Sequence, residues 1–98
     1  MNLVYADFMK IDREGRLPLV TRGTFKDLEK HGIALTDGLR LVFYNEDEDD
    51  LGNRDDLVVE GIVHFDEVDE RWIAVIHWDA IKNISKLSSE ERRTMGFD

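Results

Sequence analysis

Leu57-Val-Val-Glu-Gly-Ile-Val-His-Phe-Asp66 and Arg71-Trp-Ile-Ala-Val-Ile-His-Trp-Asp79 are separated by only four residues, Glu67-Val-Asp-Glu70. Both arms are rich in Val, Ile, Phe and Trp, which fit a pleated, half-buried surface, and the link is short enough for a hairpin. Pairing Asp66 with Arg71 sets the register of every other pair. Phe65 then opposes Trp72, Val63 opposes Ala74, Gly61 opposes Ile76 and Val59 opposes Trp78, all on one face. The other face carries His64 with Ile73, Ile62 with Val75 and Glu60 with His77. A slip of one residue would turn the Trp-bearing face outward, so burial holds the register. The expected core is Val59, Val63, Phe65, Ala74, Ile76 and Trp78. Gly61 opposite Ile76 signals a sharp bend or a close approach by another backbone.

Upstream, residues 3–11 read as a strand, and Asp12-Arg-Glu-Gly15 reads as a turn with Gly15 free to take a positive φ. A short strand over 16–20 follows. Pro18 cannot donate to a ladder, which places that strand at an edge, and the first two strands form a hairpin. Thr24 is the expected N-cap of a short helix, with Asp27 at N3 and Gly32 at the left-handed C′ position. That helix is too short to stand alone and depends on Phe25 and Leu28 packing onto the sheet. A third strand spans 39–45. After the central hairpin, Ser88 and Glu91 form a capping box that opens a C-terminal helix over about 88–96, with Gly96 ending it.

The order is therefore β-β-α-β-β-β-α, a mainly β, β-rich α+β chain with two short helices. Each link between successive strands is short enough for antiparallel pairing. The expected architecture is a small, strongly bent antiparallel five-stranded sheet or a partly open SH3-like barrel, with a flat α+β sandwich that carries the helices on one side as the alternative. At 98 residues with 42% hydrophobic content, the chain is expected to be one globular domain over 1–98.

Thirteen basic residues stand against 22 acidic ones, for a formal charge of −9. That balance disfavours nucleic acid and anionic membranes and favours basic partners or cations. The absence of cysteine excludes disulfides, Cys-ligated zinc and thiol catalysis, and makes the cytoplasm the default expectation. No run approaches the length of a membrane helix, and the opening Met1-Asn-Leu-Val-Tyr5 lacks the basic and apolar regions of a signal peptide. Serines occur only at 85, 88 and 89, none in a nucleophile elbow, and the glycines are too dispersed for a phosphate loop.

The charge is concentrated in Glu46-Asp-Glu-Asp-Asp-Leu-Gly-Asn-Arg-Asp-Asp56, where seven acids and one Arg give a net −6. Such a segment repels itself and has little to bury, so it is expected to be extended, exposed and mobile. Its Asp47, Asp49, Asp50, Asp55 and Asp56 are the candidate contacts for a basic protein partner, with Trp72 as a candidate exposed aromatic contact. The spacing Asp47-x-Asp49-x-x-Gly52 partly matches a calcium loop, which makes Asp47, Asp49 and Asp55 candidate ligands for calcium or another divalent cation. Leu51 and Val58 stand where oxygen ligands are required. His64 and His77, on one face with Glu60, are the candidates for a metal-dependent enzyme site. The reading these residues favour is a small acidic, non-enzymatic interaction module that recognises a basic partner through 46–56. A hard-cation-binding protein is the alternative.

Overall fold

In the computed structural model, which describes residues 3–97, the central hairpin forms in the expected register from Asp66↔Arg71 to Ile62↔Val75. It is made by β4 (Leu57–Asp66) and β5 (Arg71–Val75). Phe65 and Trp72 meet edge to face, with ring centroids 5.2 Å apart. The other flank of β4 pairs antiparallel with β3 (Arg40–Asn45) along its whole length, from Arg40↔Ile62 to Asn45↔Leu57.

The hairpin is shorter than its sequence suggests. β5 ends at Val75, the last residue paired to β4, while the Ile76 N–H lies on the other flank of β5 and donates to the carbonyl of Gly15 at 2.9 Å. The pairs Gly61–Ile76, Glu60–His77 and Val59–Trp78 therefore do not form. Trp78 begins a 3-10 turn and is half-exposed, so it is not a core residue, and Phe65 is 40% exposed at the turn end of the hairpin. The lower part of β4 takes a different partner, β6 (Lys82–Asn83), which pairs with Leu57 and Val58. Val59, Val63, Ala74 and Ile76 are buried as expected.

The first two strands do not form a hairpin. β1 (Leu3–Tyr5) pairs parallel with β3, and β2 (Arg16–Pro18) pairs antiparallel with β5, which puts them at opposite ends of the order β1-β3-β4-β5-β2. The sheet is thus open, mixed and six-stranded, in place of the antiparallel five-stranded sheet or SH3-like barrel. The reason is local. Asp7 accepts the Met9 N–H and starts a 3-10 turn over Phe8–Lys10, so the strand expected over 3–11 stops early and the chain crosses to the far edge. Phe8 is buried on that crossing.

On each outer strand one residue has its outward backbone N–H and carbonyl taken up by nearby groups. On β1, the Tyr5 N–H donates to Asp27 at 2.9 Å and the Tyr5 carbonyl accepts from the Thr24 hydroxyl at 2.6 Å. On β2, Arg16 donates its N–H to Asp12 Oδ1 at 3.0 Å and accepts from the Asp12 N–H at 3.1 Å, while Pro18 has no N–H to offer. Edges treated in this way resist pairing with another strand.

The β1 edge is closed by α1 (Arg22–Lys30). Its N-cap is Thr21 rather than Thr24. Thr24 sits one turn inside, fully buried, and turns its hydroxyl to Tyr5. Asp27 likewise serves Tyr5 rather than a capping box. Gly23 lies against the Tyr5 ring, where an added Cβ would stand 2.8 Å from Cδ1. Leu28 is buried, but Phe25 is 52% exposed and does not anchor the helix. The helix ends as expected: Gly32 has φ +65°, and Ile33 donates to the Leu28 carbonyl at 2.9 Å.

The main core lies on one face of the sheet, where Val4, Phe43, Val59, Val63, Ala74 and Leu17 meet Leu28 and Phe8. Val58, which alternates with Val59, is buried on the opposite face. The chain closes with α2 (Ser89–Met95), which carries the expected Ser88–Glu91 capping box and a left-handed Gly96. Glu91 also binds Lys82 Nζ at 2.9 Å, and these two contacts hold its carboxyl at about 2. Among the described residues, no helix is long and apolar enough to cross a membrane.

Candidate functional site

The segment 46–56 is a folded extension of the β3–β4 hairpin rather than an extended coil. Glu48 and Arg54 form an antiparallel bridge, and Asp55 donates its N–H to the Asp47 carbonyl at 2.9 Å. The reversal is built by Asp49, whose Oδ1 accepts the N–H groups of Leu51 and Asn53, each at 2.9 Å. Gly52 takes φ +82° at the close of the turn. A short acidic side chain at the first position and glycine at the fourth is the usual chemistry of such a turn. The Asp49-x-x-Gly52 spacing that resembled a calcium loop is therefore used to fold the backbone. The backbone N–H of Asn53 is the main cause that keeps the Asp49 carboxyl below its ordinary pKa.

The hairpin is clamped from the side by the chain that follows β6. Ser85 donates its N–H and hydroxyl to the Asp55 carboxylate at 3.0 and 2.5 Å. Asn83 donates its amide to Asp47 Oδ2 at 2.9 Å and to the Asp55 carbonyl at 2.7 Å. Arg54 lies between Asp56, at 2.9 Å, and Glu46, at 3.8 Å. The Asp56 bond is the first cause that raises the Arg54 pKa. Asp56 is buried, against the expectation of uniform exposure. Among the described residues, the Glu48 and Asp50 side chains have no hydrogen-bond or ion-pair partner, and both are exposed.

Two clefts flank the hairpin. One, of about 410 Å³, is lined by Glu46, Asp47, Glu48, Gly52 and Arg54. The other, of about 470 Å³, is bounded by Glu48, Asp49, Asp50 and Asp55 together with Asn83, Ser85 and Lys86. A smaller one, of about 250 Å³, joins the hairpin base to α1 through Arg54, Asp56, Tyr44, Asp27, Lys30 and His31. Burial, followed by the charge of Asp27, pushes the Tyr44 phenol up there.

The structure brings Asp47, Asp49, Asp50, Asp55 and Asp56 onto one element but leaves Trp72 elsewhere. Trp72 pairs with Phe65, whereas the hairpin joins β4 at Leu57. Eight strand residues separate those points, about 26 Å. His64 pairs with Asp37 at 3.2 Å, and His77 lies beyond the end of β5. Among the described residues, no three His, Asp or Glu side chains are grouped to hold a metal ion.

Sequence reasoning missed Asn83 and Ser85, which lie 28 and 30 residues from Asp55 and carry no local signal. Arg54 and Asp56 were readable, because residues two apart on an extended strand share a face. Comparison with family models, with curated proteins and with solved structures returns no significant match.

Proposed function

We propose that this chain is an acidic, non-enzymatic protein-interaction module that recognises a basic partner through the 46–56 hairpin. The observation that carries this reading is the state of its carboxylates. Asp47, Asp49 and Asp55 are held by neutral donors, which fix their positions and leave their charge intact. Among the described residues Glu48 and Asp50 have no partner, and clefts adjoin the hairpin. A preorganised row of charge loses little conformational freedom on binding. The outward backbone groups of Tyr5 and Arg16, already bonded within the chain, also favour recognition by side chains over strand addition. The lack of cysteine fits a reducing compartment such as the cytoplasm.

A hexalysine peptide titrated into labelled protein tests the reading. Amide shifts should concentrate on 46–56, and binding should weaken as salt shortens the Debye length below about 10 Å. Glu46→Gln, Asp47→Asn, Glu48→Gln and Asp50→Asn together should keep the fold and abolish most of the binding. Unchanged affinity in that variant would overturn the assignment.

A further inference from the structure

The outward face of α1 carries Arg22, Lys26 and Lys30 at a spacing of four, so they form one row along the helix. All three are exposed, and among the described residues none has an ion-pair or hydrogen-bond partner. An unpaired cationic row is out of keeping with a chain of net charge −9, most of it on one hairpin. Beside the row, Phe25 is 52% exposed, and at the tip of the hairpin Leu51 is 87% exposed. Each charged element thus carries one uncovered apolar side chain.

The two elements also adjoin. The cleft shared by Lys30, Arg54 and Asp56 sets the C-terminal end of the row beside the base of the hairpin. Adjacent patches of opposite sign are self-complementary under a two-fold rotation, the geometry of an isologous dimer. An axis through that cleft lays the hairpin of one copy along the α1 row of the other. The hairpin tip, farthest from the axis, then meets the N-terminal half of α1, which brings Leu51 towards Phe25. The lengths agree: Arg22 to Lys30 rises about 12 Å, and the arm from Glu46 to Asp49 spans about 10 Å.

We propose that the outward face of α1 is the docking site for the 46–56 hairpin of a second copy of this chain, the two copies exchanging basic row for acidic hairpin. The inference rests on the hairpin being the recognition element and names a second copy as its basic partner. The net charges of the two copies repel, but beyond about 8 Å that repulsion is screened at physiological ionic strength. The apposed rows act at contact.

Sedimentation velocity at millimolar protein and physiological ionic strength tests it with two charge-reversed variants. Arg22→Glu, Lys26→Glu and Lys30→Glu reverse the row. Asp47→Lys, Glu48→Lys and Asp50→Lys reverse the hairpin and spare Asp49, Asp55 and Asp56. Wild type should dimerise and each variant alone should be monomeric. An equimolar mixture of the two should dimerise again, because both contacts of the mixed pair are then attractive. Should a reversed variant fail to fold, Arg22→Gln, Lys26→Gln and Lys30→Gln should still weaken the dimer by about tenfold or more, six surface pairs being lost across two equivalent contacts. A monomeric wild type, undiminished dimer in the row variants, or no recovery in a mixture of folded variants overturns the proposal. If hexalysine still binds the hairpin of a monomeric wild type, the recognition role stands and the second copy is removed as its partner. If hexalysine does not bind, the recognition role itself fails.

Discussion

Gly61→Ala pits a backbone gain against a packing loss, and the structure decides which is larger. Alanine in a strand interior is favoured over glycine by about 0.5–1 kcal/mol through the entropy of the unfolded chain. Against this, the new Cβ would stand 3.0 Å from Ile76 Cγ2, 3.1 Å from Phe43 Cε2 and 3.3 Å from Ala74 Cβ. Ordinary carbon contacts lie near about 3.5–4.0 Å, so three neighbours must yield at once. None is placed to do so. Ala74 Cβ is fixed to a backbone paired on both sides, to Val63 and to Leu17. Phe43 is fully buried, and Ile76 is tied through its N–H to Gly15. Overpacking of a tight core costs about 1–3 kcal/mol, which exceeds the backbone gain. Gly61→Ala should therefore destabilise by about 1–2 kcal/mol, read as a lower urea midpoint at unchanged m-value. Ile76→Ala alone should cost about 2–5 kcal/mol. It removes the Cγ2 atom, so the double mutant should be less destabilised than the sum by about 1 kcal/mol. A raised midpoint for Gly61→Ala, together with additivity in the double mutant, would refute the packing account of this glycine.

Thr24→Val keeps the buried shape but leaves the Tyr5 carbonyl without its donor, and should cost about 1–3 kcal/mol; an unchanged midpoint would show that the β1 edge needs no closure. Ser88→Ala should cost about 1 kcal/mol locally, seen as lost amide exchange protection over 89–95. The Glu91 carboxyl is bound by Lys82 and then by Ser88, which hold it at about 2 against an ordinary 4.5. Its contribution to α2 is therefore present above pH 4.5 and lost as pH falls towards about 2. A carbon-detected titration that places Glu91 at the ordinary value would mean that the Lys82 contact is not made in solution.

The parts of the fold legible in the sequence are those set by neighbours in the chain. The apolar alternation across a four-residue link set the hairpin register, Gly32 ended α1 and the Ser88–Glu91 spacing opened α2. Pro18 placed β2 at an edge because a missing N–H excludes a central position. What was not legible depended on distant groups. β1 pairs parallel with β3 across a connection that contains β2 and α1, and no property of residues 3–5 announces that partner. Thr24 and Asp27 have capping-box spacing, but the unpaired backbone of Tyr5 captured both, and Thr21 took over the cap. Trp78 matched the alternation of β5, yet the ladder with β4 ends at Ile62↔Val75, and β6 pairs with the start of β4 instead.

The candidate site shows the same division. Composition located the charge, and an acidic run with one apolar residue implied a loose loop. That inference counts repulsion between carboxylates and leaves out their capacity to accept backbone N–H groups. Asp12, Asp27 and Asp49 all act as backbone acceptors, the first two at sheet edges and the third at the hairpin turn. Acidity therefore does two jobs in 46–56. Asp49, Asp55 and Asp56 order the hairpin through Leu51, Asn53, Ser85 and Arg54, while Glu48 and Asp50 contribute charge alone. Removing the ordering acids would disturb the shape of the hairpin as well as its field, and a loss of binding could then not be assigned to either. Glu48→Gln with Asp50→Asn changes the field alone. The salt dependence of that pair is accordingly the quantity that separates electrostatic recognition from structural support.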